Sequence, residues 1–242
     1  YLNSYIMKVL ELFSGTHSVG KCCEELGWET LSVDIDGRAD INISILEWNY
    51  KVYKNDEFDI IWASPPCATF SNLQNSMLGR MRNGEVFTNE QMEIDMKTKG
   101  DPLVLKALEI IDYFKPHYYF IENPQTGRLK HRPYMKDIPF YDVDYCMYSD
   151  WGYRKRTRVW TNKLDWDAKK CKGDNSCGNM IPNVKQTDSI NSKYMTHKID
   201  ISKQSFSKHK ANLGNIKGQK CIRRLDMRYR IPPDLIYSLF LE

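Results

Sequence analysis

The chain has 242 residues, enough for one α/β domain with a sizeable core or for a core plus a small appendage, and a tight fit for two full domains. No apolar run approaches the ~20 residues that cross a bilayer, and no basic, apolar leader precedes the first strand pattern, so a soluble intracellular protein is expected. The net charge of +4 is unevenly spread: Lys163 to Arg230 holds 12 Lys and 4 Arg against 6 Asp, a surplus of ten that leaves −6 on the remainder and suggests a polyanion contact confined to one region.

Met7 to Phe13 (MKVLELF) reads as a buried strand that breaks into SGTHSVG, and helical spacing follows as far as Gly27. The six residues before Met7 are assigned no function. A second strand, Thr30 to Val33, ends in the tripeptide Asp34, Ile35, Asp36, and a third, Phe58 to Ala63, runs into SPPCATFS. Asn72 to Gly100 is polar and too long for an ordinary connection, so a lid or substrate loop is expected there. Asp101 as N-cap, with Pro102 in the first turn, predicts the helix PLVLKALEIIDYF. The strand HYYFIEN follows, then YDVDYCMY and TRVWT on either side of the basic turn SDWGYRKR. Strands alternating with helices predict a doubly wound, mostly parallel α/β sheet with ligands at its carboxyl edge. Beyond Asn162 the periodicity fades, which predicts the α/β domain over 7–162, a small irregular basic region over 163–220, and a C-terminal helix within 221–242 that packs back on the core.

The seven cysteines form no regular framework, which favours reduced thiols. Cys67 is the most conspicuous. Pro65 and Pro66 offer no N–H, so the strand ladder stops and Cys67 emerges at the carboxyl edge. A packing cysteine is the plainer alternative. Glu122 ends another strand at the same edge, where a carboxyl can hydrogen-bond a ring nitrogen or serve as an acid; a cap or ion-pair role is its alternative. Arg156 and Arg158, two apart on strand-forming sequence, share one face. The turn after the first strand lacks a dinucleotide fingerprint, so an adenosine cofactor without pyrophosphate fits better than a nicotinamide, with Asp34 about 20 residues on to accept ribose hydroxyls. In CKGDNSC, Cys171 and Cys177 have five residues between them, with His197 and Cys221 further on. Metal ligation is the alternative there, but that spacing departs from the short zinc knuckle and no metal site is assigned.

LELFSG, SPPCATFS, the tripeptide ENP and KRTRVW, in this order over roughly residues 7 to 162, resemble the DNA cytosine-5 methyltransferases, particularly their compact viral and phage-like branch. The resemblance implies a Rossmann-like methyltransferase fold, S-adenosylmethionine as methyl donor, and a basic target-recognition region. It implies Cys67 as nucleophile, Glu122 as the carboxyl that engages the base, and Arg156 and Arg158 as the pair that holds the catalytic loop, the base and its phosphate. Phe13, Ser14, Gly15, Asp34, Ile35 and Pro65 fall at the cofactor site, and the adenine contact is either Ser44 or Asp40. The chain departs from the family pattern at Ala68, Pro124 and Arg154, where glutamine, valine and glutamine are usual, and it has no clear C-terminal glycine-asparagine motif.

These residue types suit the chemistry. A thiolate adding to C6 of cytosine turns the ring into an enamine-like species whose C5 attacks a sulfonium methyl, and arginine charge favours the thiolate. C6 is hidden in duplex DNA, so the cytosine must be flipped out, and the polar loop after Cys67 is placed to close over it. The expected partner is double-stranded DNA, bound by a monomer. The alternatives are a tRNA substrate, methylated by the same thiol chemistry, and a DNA-binding relative that has lost turnover.

Overall fold

A computed structural model describes residues 5–182, 195–200, 220–221 and 226–242. The chain divides into two compact units, one of Tyr1–Tyr141 with Thr157–Trp166 and the other of Asp142–Arg156 with Asp167–Glu242. Among the described residues no helix is long and apolar enough to cross a membrane.

Strand β1 (Lys8–Leu12) leads into helix α1 (Ser18–Leu26), then β2 (Glu29–Asp34), β3 (Ile41–Asn42) and β4 (Ile60–Ala63). A small hairpin, β5 (Met81–Arg82) with β6 (Glu85–Val86), precedes helix α2 (Asn89–Asp95), a π turn (Met96–Gly100) and helix α3 (Asp101–Phe114). Strands β7 (Tyr118–Pro124), β8 (Phe140–Asp144) and β9 (Arg156–Thr161) complete the sheet.

The seven strands lie in the order β3-β2-β1-β4-β7-β9-β8. β1 pairs in parallel with β2 and β4, β4 in parallel with β7, and β9 runs antiparallel to β7. This is the expected Rossmann-like, mostly parallel α/β sheet. The strand order reverses between β1 and β4, and in open α/β sheets ligands settle beyond the carboxyl ends at such a switch point.

Alternation along the strands sorts the two faces. Leu10, Leu12, Ile61, Ala63 and Ile121 form one core with Val104, Ala107, Ile110, Ile111 and Phe114 of α3. Glu11, Trp62 and Phe120 stand opposite one another in register on the other face. There the buried Glu11 carboxylate accepts the Val19 and Gly20 amides in the first turn of α1, at 3.1 and 3.0 Å, which otherwise have no partner within the helix. Gly20 leaves room for the His17 imidazole, which an added Cβ would displace.

His17 Nδ1 lies 3.0 Å from the same carboxylate. That contact raises the His17 pKa above its ordinary 6.5, against burial and assisted by the Glu11 charge; Asp40 adds to the rise and Lys21 opposes it. A raised histidine contributes stability that is fully present below its unfolded value and is lost as pH climbs through the folded one. The urea midpoint is therefore expected to fall as pH rises above about 6.5, and less steeply in His17→Gln. A variant with the wild-type slope would remove His17 as the cause.

Two expectations are corrected. Residues 72–100 are not an open loop: a 3₁₀ segment (Asn72–Met77), the hairpin, α2 and the π turn fill most of them. Phe87, Met92 and Met96 are buried, and Asp95 pairs with Arg82 and Lys99, so scattered apolar anchors hold a segment whose overall composition is polar. Nor is Asp101 a helix cap. The helical path runs in from α2, which Thr88 caps through Gln91 N–H, and the Asp101 carboxylate instead accepts Arg132 and Tyr134.

The second unit contains the short pairs β10 (Met180–Pro182) with β11 (Met195–His197), antiparallel, and β12 (Ile199–Asp200) with β13 (Lys220–Cys221), parallel. Helices α4 (Asp226–Tyr229) and α5 (Pro233–Leu241) follow, the latter with Leu235, Ile236 and Leu239 fully buried. The strand expected through YDVDYCMY stops at Asp144, and Tyr145–Met147 is a 3₁₀ turn. Asp144 there anchors Arg154 and the Cys171 amide through its carboxylate. Six of the twelve lysines expected to meet a polyanion lie in 183–194 and 201–219, outside the described residues.

Candidate active site

Cys67 lies in the loop that leaves β4. The Ser64 amide donates to Leu12 O at 3.2 Å, the last tie to β1 before the two prolines. Pro65 is buried, Pro66 and Ala68 are exposed and Cys67 is half-buried, so the thiol is partly presented to solvent. A tight turn closes from Phe70 N–H to Cys67 O at 3.1 Å, and the fully buried Phe70 ring anchors it. Gln74 Nε2 donates to Ala68 O at 2.6 Å and Arg128 N–H to Phe70 O at 2.7 Å, so flanking segments hold the turn from both sides.

Glu122 is 6% exposed and stands on β7 one residue beyond the Ala63–Ile121 pair that joins β4 to β7. The thiol loop and the carboxylate thus leave neighbouring strands at the same edge. The link between them is Asn123, whose side-chain amide donates to Pro65 O at 2.8 Å in a buried position. No role was foreseen for Asn123, although the ENP tripeptide was the available signal. Arg158 pairs with Asn123 in the β7–β9 register, and its guanidinium stacks 3.5 Å above the Phe140 ring, with Trp160 at 5.8 Å. Arg156 is the exposed first residue of β9 and falls in the other compact unit.

Gly100 is a second participant the sequence did not mark. A Cβ there would meet Thr69 Oγ1 at 2.6 Å and the Phe70 ring at 2.7 Å. Gly100→Ala is expected to cost about 1–3 kcal/mol by overpacking and to displace the turn that carries Cys67. A lowered urea midpoint together with slower alkylation of the Cys67 thiol would report both effects; an unchanged midpoint would show that the turn yields freely.

The candidate cofactor residues gather at the switch point. Phe13 (φ 59°) and Gly15 (φ 48°) are both left-handed, and Phe13 N–H donates to Val33 O at 2.9 Å. Asp34 accepts the Gly15 amide at 2.9 Å on one oxygen and the Asp36 amide at 3.0 Å on the other, which joins the ends of β1 and β2 into one rim. Ser14 is buried in this turn, while Ile35 projects with 79% of its surface exposed. Pro65 lies at the end of β4, across the switch point.

Of the two adenine candidates, Asp40 is tied to Ser32, whose amide and hydroxyl it accepts at 2.9 and 2.6 Å. Burial works against its charge, but these bonds outweigh it and hold the carboxyl below its ordinary range. Ser44 instead caps a turn, its Oγ accepting Leu46 N–H at 3.3 Å.

The chain is similar to several known proteins. It is 43% identical over 235 residues to the "Probable DNA (cytosine-5)-methyltransferase" of Frog virus 3 (isolate Goorha), covering 96% of this chain and 98% of that protein. Among solved structures it is similar to a DNMT2 mutant of Spodoptera frugiperda (20% identity, 69% of this chain and 53% of that one, TM-score 0.38). It is also similar to the methyltransferase EhMeth of Entamoeba histolytica (16% identity, 70% and 58%, TM-score 0.46). A third is the S. pombe Dnmt2 methyltransferase (13% identity, 67% and 50%, TM-score 0.37). The chain spans about half the length of these solved structures. No family model matches it.

Proposed function

The chain belongs to the DNA (cytosine-5)-methyltransferase family, and from that premise we propose that it methylates C5 of a cytosine flipped out of duplex DNA, through a covalent bond between Cys67 and C6. The observation that carries this reading is the Asn123 bond to Pro65 O, which ties the strand bearing Glu122 to the loop bearing Cys67.

The residues at the switch point fit S-adenosylmethionine. Asp34 leaves lone pairs on a rim where a ribose can bond, Ile35 offers an exposed apolar surface to an adenine, and the Phe13–Gly15 turn has no Gly-rich cradle of the kind a pyrophosphate needs. Pro65 would close the methionine end and Ser44 would donate to the adenine, since Asp40 is engaged by Ser32. When bound, the cofactor supplies an electrophilic methyl on a sulfonium sulfur.

On the protein side, the Cys67 thiolate adds to C6 and pushes ring electrons toward C5. Glu122 meets N3 and the exocyclic amine as charge develops there, and Arg158, braced against Phe140, steadies the base from the adjoining strand. After methylation a base removes the C5 proton, the C5–C6 double bond reforms and Cys67 departs as thiolate. The basic residues of the second unit bind phosphates, which makes affinity fall with salt.

The test is incubation with tritiated S-adenosylmethionine and either duplex DNA or tRNA, beside Cys67→Ala. Label in DNA that disappears in the variant is the expected result. Label confined to tRNA would change the substrate, and DNA retarded on a gel without label would overturn turnover.

A further inference from the structure

Three sulfurs and an imidazole converge in the second unit. Cys146 comes from the 3₁₀ turn after β8, Cys171 and Cys177 flank the loop KGDNS, and His197 ends β11. Their ligand atoms all lie within 4.8 Å of one another, and Cys146 and Cys171 are buried. We propose that Cys146, Cys171, Cys177 and His197 form a structural zinc site. This inference stands independently of the methyl-transfer reading.

The distances carry it. A tetrahedral zinc ion with sulfur bonds near 2.3 Å and nitrogen bonds near 2.05 Å has sulfur–sulfur edges of about 3.8 Å and sulfur–nitrogen edges of about 3.6 Å. The Cys171 and Cys177 sulfurs are 3.8 Å apart, and His197 Nε2 is 3.7 Å from each. A disulfide would need about 2.05 Å, so these two thiols are spaced as ligands of one ion and not as a bonded pair. Three thiolates and an imidazole are soft donors that select zinc over magnesium or calcium, and four protein ligands leave no open position for catalysis.

The surroundings hold the ligand-bearing chain in place, as outer-shell groups do at structural metal sites. The Asn179 side chain, 2% exposed, donates to the carbonyls of Cys146, Ser149 and Cys177 and accepts the Gly152 amide. Asp144 accepts the Cys171 amide at 2.9 Å and a two-bond contact from Arg154, whose Nη2 also donates to Cys171 O at 3.0 Å. The Arg154–Asp144 ion pair thereby holds the Cys171 backbone by both its amide and its carbonyl. Among the described residues, Met180 with the half-buried Met147 and Met195 packs around these sulfurs, and an ion would add cohesion to that cluster. Half-buried Cys177 and His197 leave an entry path. The Cys171–Cys177 spacing departs from the short zinc knuckle, and Cys146 lies in the turn at Tyr145–Met147, within the stretch whose pattern predicts a strand.

Full-length protein purified from zinc-supplemented cells should contain about one zinc per chain by mass spectrometry, released only when its thiols are titrated by a mercurial. Cobalt exchange should give the intense visible bands of a tetrahedral thiolate site. Cys171→Ser and His197→Ala should lose at least about tenfold in metal affinity, while Cys67→Ala keeps the full content and His197→Cys keeps the bands with stronger sulfur charge transfer. Should the first two variants fail to fold, the cobalt spectrum of the wild type and of His197→Cys decides. Folded wild type without zinc or cobalt bands, a Cys171–Cys177 disulfide in the peptide map, or unchanged metal affinity in Cys171→Ser would each overturn the site.

Discussion

Cys67→Ala is expected to lower methyl transfer by on the order of 10⁴-fold or more, with its folding and its DNA affinity unchanged. Without a thiolate at C6, C5 remains a poor nucleophile, and positioning alone cannot replace the electrons that the sulfur supplies. The thiol is half-buried, with Pro66 and Ala68 exposed on either side, so its removal leaves little cavity. Duplexes carrying 5-fluorocytosine give a direct check, because fluorine cannot leave as a cation and the adduct stays on the protein. Wild type should run as a covalent complex on a denaturing gel and Cys67→Ala should not. A persistent adduct in the variant would move the nucleophile to another residue.

Glu122→Gln is expected to lower turnover by about 10²–10⁴-fold while leaving the fold and DNA binding intact. Glutamine matches the shape of glutamate, and at a site that is only 6% exposed it introduces no bulk. It cannot supply a negative charge or a titratable proton to N3 and the exocyclic amine, so the loss should appear in the rate of adduct formation. Asn123→Ala provides the contrast. It breaks the bond to Pro65 O and should disturb the reach of Cys67, including its rate of alkylation without DNA, which Glu122→Gln should leave unchanged. Equal alkylation defects in both variants would reduce Glu122 to a structural role.

Much of this site is legible in the chain itself. SPPC at a strand end, ENP at another and two arginines on a third each combine a local breaker or alternation with a reactive group, and all three fall at the edge expected of them. The polar stretch 72–100 misled because composition averages away its anchors: Phe87, Met92 and Met96 are few, but each is buried. Asp101 misled because its position before Pro102 is a common capping pattern, whereas its carboxylate is drawn off by Arg132 and Tyr134 from a distant part of the chain.

By itself the sequence determined the mostly parallel α/β alternation, the strand end beyond which Cys67 lies, and the strands that carry Glu122 and Arg158. Those features follow from near-neighbour physics: side-chain periodicity, the missing N–H of proline, and the turns of glycine. Tertiary structure alone decided that Asn123 bridges to Pro65, that Gly100 makes room for Phe70, and that Cys146 joins Cys171, Cys177 and His197. Each of those contacts joins residues dozens of positions apart, and their partners are chosen by the packing of whole elements, which no local pattern encodes.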